Sequence, residues 1–253
     1  MTALLELRNV SAGYGAFRAL FGVSVEVQPG EAVAILGANG VGKTTLARVA
    51  TGLLAPTSGA VLVGGADMSG TATYRFARAG VAHAPEGRSV FATLSVEDNL
   101  RLSFRQSKGR ANTPAALAKA FELFPMLAAR RHQIAGTLSG GQQRMLAMAR
   151  VIVEEPSLLV ADELSLGLAP IVVDEVYRSL RRLKENGSAL LIVEQHVGHA
   201  LALCDRAILL DRGTVSWSGP AREAAERVAT HVFENDSGSD GDSGDATAAA
   251  TAG

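Results

Sequence analysis

Hydrophobic positions alternate near the start of the chain and form short apolar runs further on. The segments "LLELRNVSAGYG" and "VSVEVQP" predict strands, the second with alternating Val23, Val25 and Val27, and we expect them to form an antiparallel layer. The run "EAVAIL" (31–36) stops at glycine, as a buried strand does. Four more such runs follow, three of them after a helical pattern, and this order predicts a largely parallel sheet. They are "GVAHAP", "SLLVADE", "ALLIVE" and "RAILLD".

Helical spacing appears after the first buried strand and again in the middle of the chain. "KTTLARVATGLL" places Leu46, Val49 and Leu53 on one helical face. "TLSVEDNLRLSF" and "TPAALAKAFELFPMLAARR" predict helices, and "RQSKGRANT" between them predicts a loop. We interpret about 87–136 as a helical subdomain inserted into an α/β core, within a single domain over 1–233.

The net charge of −1 over 253 residues conceals an acidic end. Residues 234–253 contain five acids and no base, which leaves 24 bases against 20 acids in the rest of the chain. That excess is too small to indicate nucleic acid as a partner. Residues 234–253 have no large apolar side chain and are predicted to be disordered, as a solvated extension or as a segment that orders against a partner.

Cysteine content and hydropathy bear on location. Cys204 is the single cysteine, so no disulfide framework or metal-ligand spacing exists, in keeping with a reducing cytosol. The start "MTALLELRNV" lacks the regions of a signal peptide, and no uncharged apolar run approaches the roughly 18 residues that span a membrane. Any membrane role is therefore expected to come through partner chains.

The segment "LGANGVGKTTL" (36–46) carries the first chemical motif. Gly37, Gly42, Lys43 and Thr44 fit G-x-x-x-x-G-K-[ST], between a predicted strand and a predicted helix, as a phosphate-binding P-loop requires. Glycines allow backbone N–H groups to surround phosphate oxygens, and the helix N-terminus adds partial positive charge. A chance glycine-rich turn is the alternative, and the flanking elements argue against it. The predicted nucleotide-binding residues are Gly37, Ala38, Asn39, Gly40, Val41, Gly42, Lys43, Thr44 and Thr45.

A second motif is the apolar strand "SLLVADE", which ends in two carboxylates. Asp162 suits metal binding with the Thr44 hydroxyl, and Glu163 suits orienting or deprotonating an attacking water. Acidic residues are common at strand ends, so this motif gains its meaning from the P-loop. Together they predict a site for ATP and Mg²⁺, with Lys43 and Glu163 as catalytic residues.

The segment "LSGGQQRMLAMAR" (138–150) distinguishes among the proteins that use a P-loop. Ser139 is a predicted N-cap, followed by two glycines whose N–H groups can face an anion. This segment resembles the signature motif of the ATP-binding-cassette (ABC) family, and it lies 96 residues after Lys43 and 23 before Asp162, in the family's order. The resemblance covers about residues 4–232 and implies a P-loop NTPase (RecA-like) α/β core with an antiparallel β subdomain and an inserted α-helical subdomain.

The resemblance implies further site residues. Ser139, Gly140, Gly141 and Gln142 correspond to the signature that covers ATP bound by a second cassette in a head-to-tail dimer. Tyr14 corresponds to the aromatic that stacks on adenine; a half-exposed strand tyrosine is the alternative. Glu86 in "APEGRSVF" stands where the family has glutamine, and its carboxylate can still approach Mg²⁺. In "LLIVEQH", Gln195 falls at the switch position of the family, with His196 next, and we expect Gln195 to be catalytic.

The combination "PEGR", "SLGLAP" and "VEQ" is similar to one subgroup, the ATP-binding subunits of importers for branched-chain amino acids and their urea and amide relatives. That resemblance implies an ATPase that energises solute uptake, peripheral on the cytoplasmic face of the membrane. Its implied partners are an identical or homologous second cassette, transmembrane permease subunits and, indirectly, an extracytoplasmic solute-binding protein. Leu164 replaces a usual proline and Ala169 a usual aspartate, and we expect altered communication between sites rather than loss of activity.

Three alternatives stay open at this point. The chain could be the motor of a lipid or polymer exporter, which also uses a single cassette. It could be a soluble ATPase that acts on ribosomes or DNA, although one P-loop, one signature, no sustained heptads and weak basicity disfavour this. It could be a degenerate cassette that binds ATP without hydrolysing it, against which Lys43, Asp162 and Glu163 argue.

Overall fold

The structure, a computed structural model, describes residues 2–84, 90–194 and 197–227. Glu86, Gln195, His196 and the segment 234–253 lie outside the described residues, so the predictions made for them stay predictions. The strands are β1 (Leu5–Tyr14), β2 (Phe17–Val27), β3 (Ala32–Leu36), β4 (Ser58–Val63), β5 (Ala66–Asp67), β6 (Val81–Ala84), β7 (Leu158–Asp162), β8 (Ala189–Val193), β9 (Arg206–Asp211) and β10 (Thr214–Pro220).

The helices alternate with the later strands. They are α1 (Lys43–Ala50), α2 (Thr73–Arg78), α3 (Val96–Ser107), α4 (Thr113–Leu123), α5 (Pro125–Ala128), α6 (Gly140–Glu154), α7 (Pro170–Glu185) and α8 (Val197–Leu203), with a 3₁₀ turn at Ala135–Thr137. Residues 221–227 are also helical.

Two sheets organise these elements, as the sequence predicted. The antiparallel sheet has the order β2-β1-β4-β5, and the larger sheet has the order β10-β9-β3-β8-β7-β6. In the larger sheet β9, β3, β8, β7 and β6 pair in parallel, and β10 pairs antiparallel to β9 at one edge. All five runs predicted to be buried strands are strands of this sheet.

The larger sheet is covered on both faces, which explains why its central strands are continuous apolar runs. Along β3, Ala32, Ala34 and Leu36 pack into the hydrophobic cluster that contains α6 and α7. Val33 and Ile35 face the opposite cluster, with α1 and the antiparallel sheet. Since successive side chains of a strand point to opposite faces, burial on both sides requires an apolar residue at every position.

The structure differs from the sequence prediction in the middle of the chain. Helix α3 continues to Ser107, so the first three residues of the predicted loop "RQSKGRANT" are helical and the connection is only 108–112. The second predicted helix is interrupted at Phe124, because Pro125 disfavours the helical conformation at the residue before it. Helix α1 ends at Ala50, before the predicted Leu53.

Elements β4, β5, α2 and β10 had no counterpart in the prediction. Strand β4 completes the opening layer by pairing with β1. Helices α3, α4 and α5 lie between β6 and β7 in the chain, and both α3 and α4 contact α6. The partition into one domain over 1–233, an insertion at about 87–136 and a tail remains a prediction.

Candidate functional site

The predicted P-loop connects the carboxyl end of β3 to the start of α1. Lys43 is 4 % exposed, and its Nζ donates to the carbonyl oxygens of Gly37 and Ala38 at 2.9 Å each. Gly42 is the N-cap of α1, and no side chain caps the helix. The N–H groups of the first turn are therefore available to an anion, next to the lysine ammonium.

Two glycines of the loop are required by their surroundings. Gly42 has φ +106°, and a Cβ there would lie 2.7 Å from the carbonyl oxygen of Ala19. Gly37 has φ +151°, and a Cβ there would lie 2.3 Å from the carbonyl oxygen of Leu210. The loop thus packs directly against the backbone of β2 and β9, a constraint additional to phosphate binding that the sequence did not reveal.

The structure brings Thr44 and Asp162 together, although they are 118 residues apart. Asp162 ends β7 and is 1 % exposed, and its Oδ1 accepts a hydrogen bond from Thr44 Oγ1 at 3.3 Å. A hydroxyl and a carboxylate oxygen, beside a phosphate-binding loop, form the ligand set that Mg²⁺ takes in nucleotide sites, where phosphates and water supply the rest. These two residues fit the metal that the sequence predicts.

Glu163 follows β7 at the same edge of the sheet. Its backbone has φ +47°, and its N–H donates to the carbonyl oxygen of Val193 on β8 at 2.9 Å. Because β8 lies between β3 and β7, the ends of these strands meet beside the P-loop. Burial lowers the pKa of Lys43, and the carboxylates of Glu163 and Asp162 oppose that effect, so all three groups share one electrostatic environment.

Arg144 is a site residue that the sequence analysis missed. It lies on α6 and is 6 % exposed, and its Nη1 donates to the carbonyl oxygens of Glu163 at 2.7 Å and Leu164 at 2.9 Å. The guanidinium therefore connects the helix of the signature motif to the segment that carries Glu163. The sequence signal was a cation on the face of a helix that otherwise buries apolar residues such as Met145 and Met148.

The signature segment has the predicted helix start. Ser139 caps α6: its Oγ accepts from the Gln142 N–H at 3.3 Å, and Gln142 Oε1 accepts from the Ser139 N–H at 3.0 Å. This capping box leaves the N–H groups of Gly140 and Gly141 without a helical partner.

Tyr14 ends β1 and is 44 % exposed. Its hydroxyl accepts a hydrogen bond from Arg48 Nη1 at 3.0 Å, and the guanidinium lies 5.9 Å from the ring centroid. Since Arg48 belongs to α1, the ring lies beside the helix that follows the P-loop. This placement agrees with an adenine contact and also with a structural strand tyrosine, so the contact stays a prediction.

Glu194, directly after β8, is a second residue that the sequence analysis passed over. It is 1 % exposed, and its carboxylate accepts hydrogen bonds from the backbone and side chain of Ser165. The neighbouring Gln195 and His196 lie outside the described residues, as does Glu86. The predicted switch role of Gln195 and metal contact of Glu86 therefore remain predictions.

Across the described ranges 2–84, 90–194 and 197–227, no helix combines the length and apolar character needed to cross a bilayer. The same ranges hold no cluster of three or more His, Cys, Asp or Glu side chains arranged for a metal ion. A Mg²⁺ site of the kind described above needs fewer protein ligands, because a bound nucleotide supplies oxygens.

Comparison with known proteins agrees with this geometry. The family model described as "ABC transporter" matches residues 20–165. The branched-chain amino acid transport ATP-binding protein BraG of Pseudomonas aeruginosa is 41 % identical over 213 residues, 84 % of this chain and 91 % of BraG. The probable branched-chain amino acid transport ATP-binding protein LivF of Archaeoglobus fulgidus is 33 % identical over 224 residues, 88 % of this chain and 94 % of LivF.

The fold is also similar to a solved structure of the ATP-binding subunit of an ABC transporter, with a TM-score of 0.80 and 26 % sequence identity. The superposition covers 92 % of this chain and 98 % of the solved chain. This likeness supports the predicted P-loop NTPase core with its antiparallel β layer. On the family match, the relatives and the nucleotide-binding geometry, the chain belongs to the ABC transporter family and is an ATP-binding ATPase of that family.

Proposed function

We propose that the chain hydrolyses ATP to drive the import of branched-chain amino acids, or related small solutes, through partner membrane subunits. The observation that carries the proposal is the similarity to BraG and LivF over more than four-fifths of the chain, since both are named as branched-chain amino acid transport proteins. It favours the importer over the exporter and over the soluble ATPase. The P-loop, Asp162 and Glu163 lie together at one edge of the sheet, and this arrangement supports hydrolysis of ATP rather than binding alone.

In this proposal, residues 37–45 surround the phosphates of ATP. Lys43 exchanges its contacts with the loop carbonyls for the β- and γ-phosphates, to which its charge is better matched. Thr44 and Asp162 would hold Mg²⁺, with Glu86 as a further predicted contact, and the ion would supply charge neutralisation at the phosphates. Tyr14 stacks on the adenine ring.

Glu163 orients the attacking water and accepts its proton, and Gln195 hydrogen-bonds the γ-phosphate. Support for the first role comes from the position of Glu163 one residue beyond Asp162, with its backbone fixed from β8 and from Arg144. In-line attack then requires only that the water lie between Glu163 and the γ-phosphorus.

A second cassette, identical or homologous, completes each site. Ser139 is exposed, and the N–H groups of Gly140 and Gly141 have no helical partner, so the start of α6 can face phosphate held by another chain. Two such contacts give a head-to-tail dimer with two ATP sites. Gln142 stabilises this surface through the capping box.

The permease subunits are proposed to dock in a groove that lies beside the site. This cavity of about 500 Å³ lies between β6 and the helices α2, α3 and α6, and its lining includes His83, Ser103 and Lys108. Arg144 and Leu164 also line it. A segment seated there would touch the residues that hold Glu163, which provides a physical route from membrane subunit to hydrolysis. The chain would then work on the cytoplasmic face of the membrane.

The test is recovery of partners by tagged Glu163→Gln chain from its native membranes in the presence of ATP, identified by mass spectrometry. Multi-span permeases together with a second cassette support the importer. Recovery of only ribosomal, DNA-binding or soluble partners contradicts it. The matched control is Lys43→Ala, which should lose nucleotide binding and with it the ATP-dependent part of the recovery.

Two kinetic comparisons test the roles of the site residues in ATP hydrolysis separately from the transport function. Glu163→Gln is expected to keep ATP binding and to lose on the order of 10² or more in turnover. Gln195→Ala should lower hydrolysis far more than His196→Ala. Turnover at the wild-type rate in Glu163→Gln excludes Glu163 as the base, and the reverse ranking of the second pair moves the switch role to His196.

A further inference from the structure

The carboxylate of Glu194 lies under the segment that follows Glu163. It accepts hydrogen bonds from the Ser165 backbone N–H at 3.0 Å, the Ser165 hydroxyl at 2.8 Å and the Tyr177 hydroxyl at 3.2 Å. The Glu194 backbone is itself anchored, since its N–H donates to the carbonyl oxygen of Ile35 on β3 at 3.1 Å. Glu194 thus connects the P-loop strand, the segment after β7 and helix α7.

The carboxyl group of Glu194 is almost fully buried, and its contacts are hydrogen-bond donors. A buried charge is costly unless donors surround it, and here three donors do. Burial raises the pKa of Tyr177, and the Glu194 charge raises it further, so the phenol stays protonated and donates. Glu194 is also among the carboxylates that oppose the burial effect on the pKa of Lys43, which places its charge within reach of the P-loop.

Ser165 is the part of this network that reaches the catalytic segment. It lies two residues after Glu163, whose φ of +47° is unusual for a residue other than glycine. A conformation of this kind persists only where its surroundings hold it. Arg144 holds the carbonyl of Glu163 from the α6 side, and Glu194 holds both donors of Ser165 from the β8 side.

We propose that Glu194 is a positioning residue for hydrolysis: through its paired hydrogen bonds to Ser165 it fixes the turn after β7 and so aims the Glu163 carboxylate. The proposal rests on the role of Glu163 given above. Glu194 also holds α7 through Tyr177, and the two functions separate, because Ser165 and Tyr177 bind the same carboxylate from different elements.

The experiment compares Ser165→Ala, Glu194→Gln, the double variant and Tyr177→Phe in the full-length chain. It measures kcat at saturating Mg-ATP, the Kd of a fluorescent ATP analogue and the thermal midpoint. Ser165→Ala and Glu194→Gln are each expected to lower kcat roughly tenfold or more, because small misplacement of a catalytic group costs one to two orders of magnitude. The nucleotide Kd of Ser165→Ala should stay within about twofold of wild type, since Ser165 lies outside the P-loop and this change leaves the Glu194 charge near Lys43 in place.

The double variant is expected to be little slower than the slower single variant, because both changes break one interaction. Tyr177→Phe is the matched control: it removes a hydrogen bond to the same carboxylate from α7 and should lower the thermal midpoint with kcat within about twofold. Ser165 is partly exposed, so Ser165→Ala tests the interaction even where Glu194→Gln destabilises the fold.

Equal losses of kcat in Tyr177→Phe and Ser165→Ala would overturn the proposal, because Glu194 would then support the fold without aiming Glu163. Wild-type kcat in both Ser165→Ala and Glu194→Gln overturns it too. Glu163→Gln is run alongside. If it keeps full turnover, the assigned base is wrong; if it alone loses turnover, the base stands and only the positioning role of Glu194 fails.

Discussion

Replacement of Arg144 by methionine is expected to destabilise the protein and to slow hydrolysis. The guanidinium donates to the carbonyls of Glu163 and Leu164 at 2.7 and 2.9 Å, and the second of these bonds is buried. A buried carbonyl that loses its donor costs about 1–3 kcal/mol, and the partly buried one costs less. The expected loss in the free energy of unfolding is therefore about 2–4 kcal/mol, a large share of the roughly 5–15 kcal/mol of an ordinary domain.

Arg144→Lys separates charge from geometry. Lysine keeps the positive charge, but its ammonium lies on a flexible stem and is not held where Nη1 of the rigid guanidinium contacts both carbonyls, so about half of the loss is expected. Urea unfolding followed by the fluorescence of Trp217, the one tryptophan of the chain, measures both variants. A parallel assay of ATP turnover should show that kcat falls when the hydrogen bond from residue 144 to the Glu163 carbonyl is weakened or lost.

The matched control is Arg101→Met. Arg101 pairs with the carboxylate of Glu97, but its side chain is 49 % exposed, so its loss should cost about 1 kcal/mol or less. If Arg144→Met unfolds at the same urea concentration as wild type, or no earlier than Arg101→Met, then the carbonyls of Glu163 and Leu164 do not depend on Arg144 and the reasoning is refuted.

Three further predictions follow from packing and burial. Gly42→Ala should abolish nucleotide binding or folding, because its Cβ would lie 2.7 Å from the carbonyl oxygen of Ala19. Gly40→Ala would have no atom within 4 Å of its Cβ and should lower the free energy of unfolding by only about 1 kcal/mol. Equal effects of the two changes would contradict this reasoning. Burial lowers the pKa of His83 to about 4 from 6.5, so the free energy of unfolding, measured by urea titration, should fall by about 3 kcal/mol as the pH falls from 6.5 towards 4. His83→Gln should flatten this pH dependence, and an unchanged pH dependence in the variant would count against the role of His83. Burial raises the pKa of Cys204 to about 12, so a disulfide reagent at pH 8 should react slowly with the native chain and rapidly in urea; fast native reaction would show an accessible thiolate.

Local patterns determined much of the fold and part of the site. The five short apolar runs predicted to be buried strands are all strands, because a strand covered on both faces needs apolar side chains at most of its positions. The P-loop and the Ser139 cap are likewise local, since each is formed by residues within one turn or loop. Even the break at Phe124 was readable from Pro125, although we predicted a single helix there.

The later strands of the antiparallel sheet were harder to predict from the chain. Strand β4 has a weak pattern, with three exposed or half-exposed residues before three buried ones. It is a strand because β1 offers it a partner edge. Pairing of this kind depends on which segment lies alongside, and local sequence does not carry that information.

The sequence by itself determined which residues are predicted to bind phosphate, metal and water: Lys43, Thr44, Asp162 and Glu163 were all identified from their motifs. Only the tertiary structure decided how they meet. Sheet order places β8 between β3 and β7, and that order brings Thr44 to within 3.3 Å of Asp162. The tertiary structure also decided the roles of Arg144 and Glu194. A buried charged side chain acts only on the donors and acceptors around it, and those come from distant parts of the chain.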